Sequence, residues 1–126
     1  SDISGHRKLI PDDLPDGWSA YKINGPLFFA AADRIFAELA TMTRDRRGVI
    51  LYMDAVPVLD AGGLAALAKF LSASQRSATE VWICDLQFQP LKSIARAGIT
   101  PAEGQLRFFS SLQDALNGFS PPVSVV

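Results

Sequence analysis

The run Val49-Ile50-Leu51-Tyr52-Met53 is apolar with almost no alternation, and Val81-Trp82-Ile83-Cys84 repeats that pattern about thirty residues later. A strand with one wet face alternates polar and apolar residues. A strand covered on both faces, as in a parallel sheet, reads instead as a continuous apolar run. Between the two runs, Leu64, Leu67, Ala68 and Leu71 recur at helical spacing and predict a helix from Gly62 to Gln75. Strand, helix and strand over this length form a βαβ unit, which commits the chain to parallel strands with helices packed on them.

The rest of the chain extends this theme. Residues 1–16 contain Pro11, Pro15 and several charges and read as an extended lead-in, or a linker from a preceding domain. Trp18 to Ile23 roughly alternates and ends at the turn signal Asn24-Gly25. After Pro26 comes a short apolar run, Leu27-Phe28-Phe29, with Phe29 expected in the core. Ala32, Ile35, Phe36 and Leu39 predict a helix from Ala30 to Met42, with Arg44, Arg46 and Arg47 suiting its carboxyl end and Gly48 closing it. Leu91, Ile94 and Ala95 mark a third helix, begun near Gln89-Pro90 and ended by Gly98. Leu106 to Phe109 reads as the last strand. Ser110 with Gln113 gives a capping-box signal for a final helix carrying Leu112, Ala115, Leu116 and Phe119. The tail from Ser120 contains Pro121-Pro122 and cannot continue it. The expected order is β-β-α-β-α-β-α-β-α. It describes an α/β domain over residues 17–119 with a mixed, mostly parallel sheet of about four or five strands and about four helices. Residues 120–126 are expected to be a flexible tail.

Bulk properties narrow the function. With 126 residues, the chain has the size of one domain. A net charge of -1, from 12 basic and 13 acidic residues, argues against nucleic-acid binding, which draws its affinity from a basic surface. It also provides no general attraction to an anionic membrane. A single cysteine, Cys84, precludes an intramolecular disulfide and points to a reducing compartment. One histidine and one cysteine cannot build a structural zinc site. No run of about 18 apolar residues occurs, so no membrane span is expected within this stretch. The chain begins Ser1-Asp2-Ile3 without Met, which suggests a piece of a longer protein.

Sites in open parallel sheets form beyond the carboxyl ends of the strands. The loop after Met53 lies there and holds Asp54 and Asp60. Two carboxylates invite a general acid/base reading. The structural reading is simpler: Asp60 precedes a helix it can cap, and Asp54 ends a strand where Asp starts a turn. Gly62-Gly63 at the helix start would let an anion approach backbone N–H groups. The G-x-x-x-x-G-K-[ST] and G-x-G-x-x-G patterns are absent. Cys84 lies in an apolar run away from His6, so a Cys/His nucleophile is not expected. Trp18 and Trp82 read as packing groups. Leu27, Phe28, Val56, Pro57, Val58 and Phe88 are apolar residues in or beside loops and are candidates for contact with another protein.

The strand followed by Leu59-Asp60-Ala61-Gly62-Gly63-Leu64 resembles the signature turn of STAS domains. In anti-sigma-factor antagonists of that family the turn reads Asp-Ser-Ser/Thr-Gly-Leu, and the first Ser is phosphorylated. Here Ala61 and Gly62 stand at those positions, so no hydroxyl can carry the phosphate. Gly25-Pro26-Leu27-Phe28-Phe29-Ala30-Ala31-Ala32 and the Asp54-to-Asp60 stretch resemble the STAS domains of SulP anion transporters. Phe88-Gln89-Pro90-Leu91 and Ala95-Arg96-Ala97-Gly98-Ile99 are similar to the bacterial branch that includes a dicarboxylate carrier. The resemblance implies a non-catalytic regulatory module on the cytoplasmic side of the bacterial inner membrane. It would belong to a carrier of sulfate, bicarbonate or C4-dicarboxylates. Its implied partners are the membrane domain of the same transporter, a sister protomer or a cytosolic protein. No cofactor is expected, although the family's proposed nucleotide binding would fall at Asp54, Asp60, Ala61, Gly62 and Gly63. A free-standing anti-sigma-antagonist switch and a nucleotide-binding domain are the alternatives.

Overall fold

A computed structural model describes residues 5–119. Its elements are β1 (His6–Leu9), β2 (Trp18–Asn24), α1 (Phe29–Thr43), β3 (Gly48–Ala55), α2 (Ala61–Arg76), β4 (Glu80–Cys84), α3 (Phe88–Arg96), β5 (Leu106–Phe109) and α4 (Leu112–Asn117). The sheet order is β1-β2-β3-β4-β5. β1 runs antiparallel to β2 and the remaining neighbours are parallel, as expected of a mixed, mostly parallel sheet.

The crossovers from β2 to β5 all step the same way across the sheet. Right-handed connection then places α1, α2 and α3 on one face. The main core lies under them, where Val49, Leu51 and Met53 of β3 meet Ile35, Phe36 and Leu39 of α1 and Leu67 and Phe70 of α2. The opposite face is covered by the short α4. There Ala20, Ile50, Trp82, Cys84 and Ala115 are buried together, with Trp18, Phe109 and Phe119 packed on them. The Trp82 ring lies 4.7 Å from Trp18 and stacks on Phe119 at 4.4 Å. Both tryptophans are therefore packing groups, and both faces of β3 and β4 are dry, which is why those strands carry no alternation.

Several local expectations are corrected. The first strand lies within the lead-in: His6–Leu9 pairs with β2, and its exposed Arg7 and Lys8 suit a sheet edge, where charge discourages further pairing. Leu27-Phe28-Phe29 makes only a one-residue parallel bridge, Leu27 to Leu59. Phe29 is exposed at the first turn of α1, contrary to its expected place in the core. Gly48 does not close α1; it opens β3, where a Cβ would overlap the Trp18 ring. The cap of α4 is Ser111, whose hydroxyl accepts from the Asp114 N–H at 3.0 Å, while Ser110 donates to the Asp114 carboxylate. Residues 120–126 lie outside the described residues.

Candidate functional site

β3 ends in Asp54 and Ala55, and α2 begins at Ala61. The turn between them is bound to two neighbouring segments. On one side, the Gly25 N–H donates to the Ala55 carbonyl at 2.9 Å, and the Leu27 N–H to the Val58 carbonyl at 2.8 Å. On the other, the Gln87 amide donates to the Asp54 carbonyl at 2.7 Å. The Gln89 side chain grips Leu59 twice, accepting from its N–H at 2.8 Å and donating to its carbonyl at 3.2 Å. Leu59 is buried, so these bonds answer backbone groups that water cannot reach. Neither glutamine was among the expected site residues, because a polar residue at a helix start reads from sequence as solvated.

The two carboxylates have separate occupations. Asp60 is the N-cap of α2, and its carboxylate accepts from the Gly63 N–H at 2.7 Å. Asp54 lies on the α4 side of the sheet, with the Lys22 ammonium 3.4 Å from its carboxylate. The phenol of Tyr52 is raised above its ordinary range, chiefly by its hydrogen bond to Asp54 and then by burial. This arrangement holds the ends of β2 and β3 together.

The paired glycines answer a packing demand. A Cβ on Gly63 would overlap the Leu27 carbonyl oxygen, and one on Gly62 would stand 2.6 Å from the Phe29 Cβ. The start of α2 is thus pressed against the Leu27-Phe28-Phe29 segment. The Gly63 N–H, the donor an anion would need at this helix start, already serves Asp60, whose charge also opposes one. Ala61, the first residue of α2, is exposed.

Cys84 is fully buried, and its thiol lies 3.7 Å from the Leu51 carbonyl. Burial, aided by neighbouring Asp85, pushes it up to about 12, so it carries no thiolate reactivity near neutrality. Among the described residues, no group of three or more His, Cys, Asp or Glu side chains is placed to hold a metal.

The contact candidates divide. Leu27 and Val56 are fully buried and belong to the core, so they cannot offer a surface; Leu27 is drawn inside by its bridge to Leu59. Phe28 is 51% exposed and Phe88 76%, joined by Phe29 at 67% and Leu91 at 48%. Pro57 is exposed and Val58 half-buried. The exposed rings directly adjoin the residues that pair with Leu59: Phe28 follows Leu27, and Phe88 precedes Gln89. They form an apolar rim around the turn, at the carboxyl end of the sheet.

Residues 12–115 match the family described as the STAS domain. The chain belongs to the STAS family. The STAS fold explains the five-stranded mixed sheet with four helices. The chain is 29% identical over 92 residues to the putative sulfate transporter YvdB of Bacillus subtilis (strain 168), covering 72% of this chain but 17% of that protein. It therefore spans about a sixth of the length of that relative. A crystal structure of a sulfate transporter family protein from Wolinella succinogenes is similar at 29% identity and a TM-score of 0.70, over 83% of this chain and 86% of that one. The STAS domain of a SulP transporter from Vibrio cholerae shares the fold at 23% identity and a TM-score of 0.66, over 83% and 82%. So does murine Slc26a9, an anion transporter, at 23% identity and a TM-score of 0.68, over 79% of this chain and 17% of that protein. In sequence this STAS chain is similar to sulfate transporter proteins, and with the SulP and Slc26a9 structures it shares the fold.

Proposed function

We propose that this STAS domain is a non-catalytic regulatory and interaction module of a secondary anion carrier of the sulfate, bicarbonate or C4-dicarboxylate class. It sits on the cytoplasmic side of a bacterial inner membrane and docks through its apolar rim onto the carrier's membrane domain, with a sister protomer or a cytosolic protein as further partners. The observation that carries this reading is the rim itself. Phe28, Phe29 and Phe88 stand in solvent around a turn whose two carboxylates are engaged internally. Large rings gathered in one exposed region mark a protein contact. Similarity to transporter proteins supplies the class of partner.

The switch reading is disfavoured by the same turn. Ala61 occupies the exposed position where a phosphorylated hydroxyl would stand, so the surface cannot be altered by adding charge there. Nucleotide contact at this turn is not favoured either, because the Asp60 carboxylate already takes the Gly63 N–H.

The reading is tested first in the gene. Its reading frame should encode a series of apolar segments of about 20 residues before this domain. In that full-length protein, cysteines placed at Phe28 and Phe29 should crosslink to the membrane domain, whereas one at exposed Glu103 should not. A frame lacking such segments, or crosslinks indifferent to position, would refute it.

A further inference from the structure

The solvent side of α3 has its own composition. Phe88, Leu91, Lys92, Ala95 and Arg96 are exposed and recur at i, i+3, i+4, i+7 and i+8, one face of the helix, while Pro90 and Ile94 are buried beneath. Residues 86–102 include Lys92 and Arg96 and no Asp or Glu. The Lys92 ammonium lies over the Phe88 ring, 5.5 Å from its centre. Cations, an aromatic ring and an aliphatic side chain thus share one outward face.

We infer that this face of α3 rests on an anionic phospholipid surface. The inference deepens the docking reading and rests on it for placing the domain beside a membrane. A bilayer surface offers two things at the same depth: an acyl boundary that accepts Phe and Leu, and phosphates that accept Lys and Arg. The face matches both. A protein socket would satisfy the apolar residues, but two cations one turn apart, in a stretch that carries no acid between Asp85 and Glu103, call for a negatively charged surface. The face is also preformed. Gln87 and Gln89 tie the start of α3 to the Asp54–Leu59 backbone, so little order has to be gained on contact.

The net charge of -1 sharpens the test, since the molecule as a whole has no attraction for anionic lipid. Any preference for such lipid must come from a local face. The chain is mixed with vesicles of phosphatidylcholine alone or with a third of phosphatidylglycerol, and the bound fraction is measured by sedimentation. Two cations imply roughly a 30-fold preference for the anionic vesicles, weakened by added salt. Lys92→Glu with Arg96→Glu should abolish the preference. Phe88→Ser with Leu91→Ser should lower binding to both vesicle types. Lys69→Glu with Arg76→Glu on α2 makes the same change of charge elsewhere and should alter little, and circular dichroism verifies that each variant folds. Equal binding to both vesicles, no binding, or an equal loss in the α2 control overturns the inference. If the crosslinks to the membrane domain persist while vesicle binding is absent, this inference fails and the carrier reading stands. Vesicle binding without those crosslinks supports the lipid contact and overturns the docking onto the membrane domain.

Discussion

The carbonyl oxygen of Leu27 occupies the space into which a β-carbon on Gly63 would project. The obstacle is main chain, and it is itself fixed by the bridge to Leu59. Gly63→Ala must therefore push α2 away from the Leu27 segment. The expected loss is about 1–3 kcal/mol of stability, seen as a lower urea midpoint with an unchanged slope. An unaltered midpoint would show that the contact is looser than this geometry.

Gln89 offers a test at one side chain. Its amide serves the Leu59 N–H and carbonyl; Gln89→Leu would leave the buried N–H unanswered and the carbonyl with only the Ser93 hydroxyl at 3.5 Å. A loss of about 1–3 kcal/mol is expected. Hydrogen exchange should quicken at the Leu59 amide and less at Leu51, in the centre of the sheet.

Asp60 is expected to matter through its oxygen more than through its charge. Asp60→Ala removes the acceptor for the Gly63 N–H and should cost about 1 kcal/mol. Asp60→Asn keeps an acceptor and should recover most of it in thermal unfolding. If Asn behaved like Ala, the cap would not be the residue's contribution.

Cys84 predicts an alkaline weakness. Its thiol ionises ordinarily at 9.0 and is pushed up to about 12 in the fold. Between those values the unfolded chain gives up the proton and the folded chain keeps it. The contribution is thus complete below about pH 9 and lost as pH rises toward 12, reaching about 1 kcal/mol by pH 10. Cys84→Ala should lose less stability than the parent over the same rise, in paired urea titrations. The native thiol should also resist alkylation at pH 8.

The parts legible in the sequence were those where a single local rule decides the outcome. β3 and β4 are dry on both faces, so their apolar runs were unambiguous, and α2 announced itself by period and by its Asp60 cap. What stayed hidden depends on partners distant in the chain. Leu27 and Phe29 are neighbours of like chemistry, yet one is core and the other solvent-facing. The choice was made by a bridge to Leu59, which no local pattern encodes. β1 reads His-Arg-Lys-Leu, and the charges that suit an edge also disguise it as linker. Gly62 and Gly63 looked like an anion-binding start because a close backbone approach and a phosphate cradle leave the same residue behind.

The β1–β2 ladder has a mechanical consequence. The Asn24 N–H is bonded to the Gly5 carbonyl at 2.9 Å, and four residue pairs follow, from His6 with Ile23 to Leu9 with Ala20. Tension applied along the chain at Gly5 loads those bonds in shear, all together, instead of peeling them one by one. β2 in turn is bonded to β3, whose end leads into the Asp54–Gly63 turn. A pull along β1 at Gly5 is therefore passed to the rim through hydrogen-bonded strands.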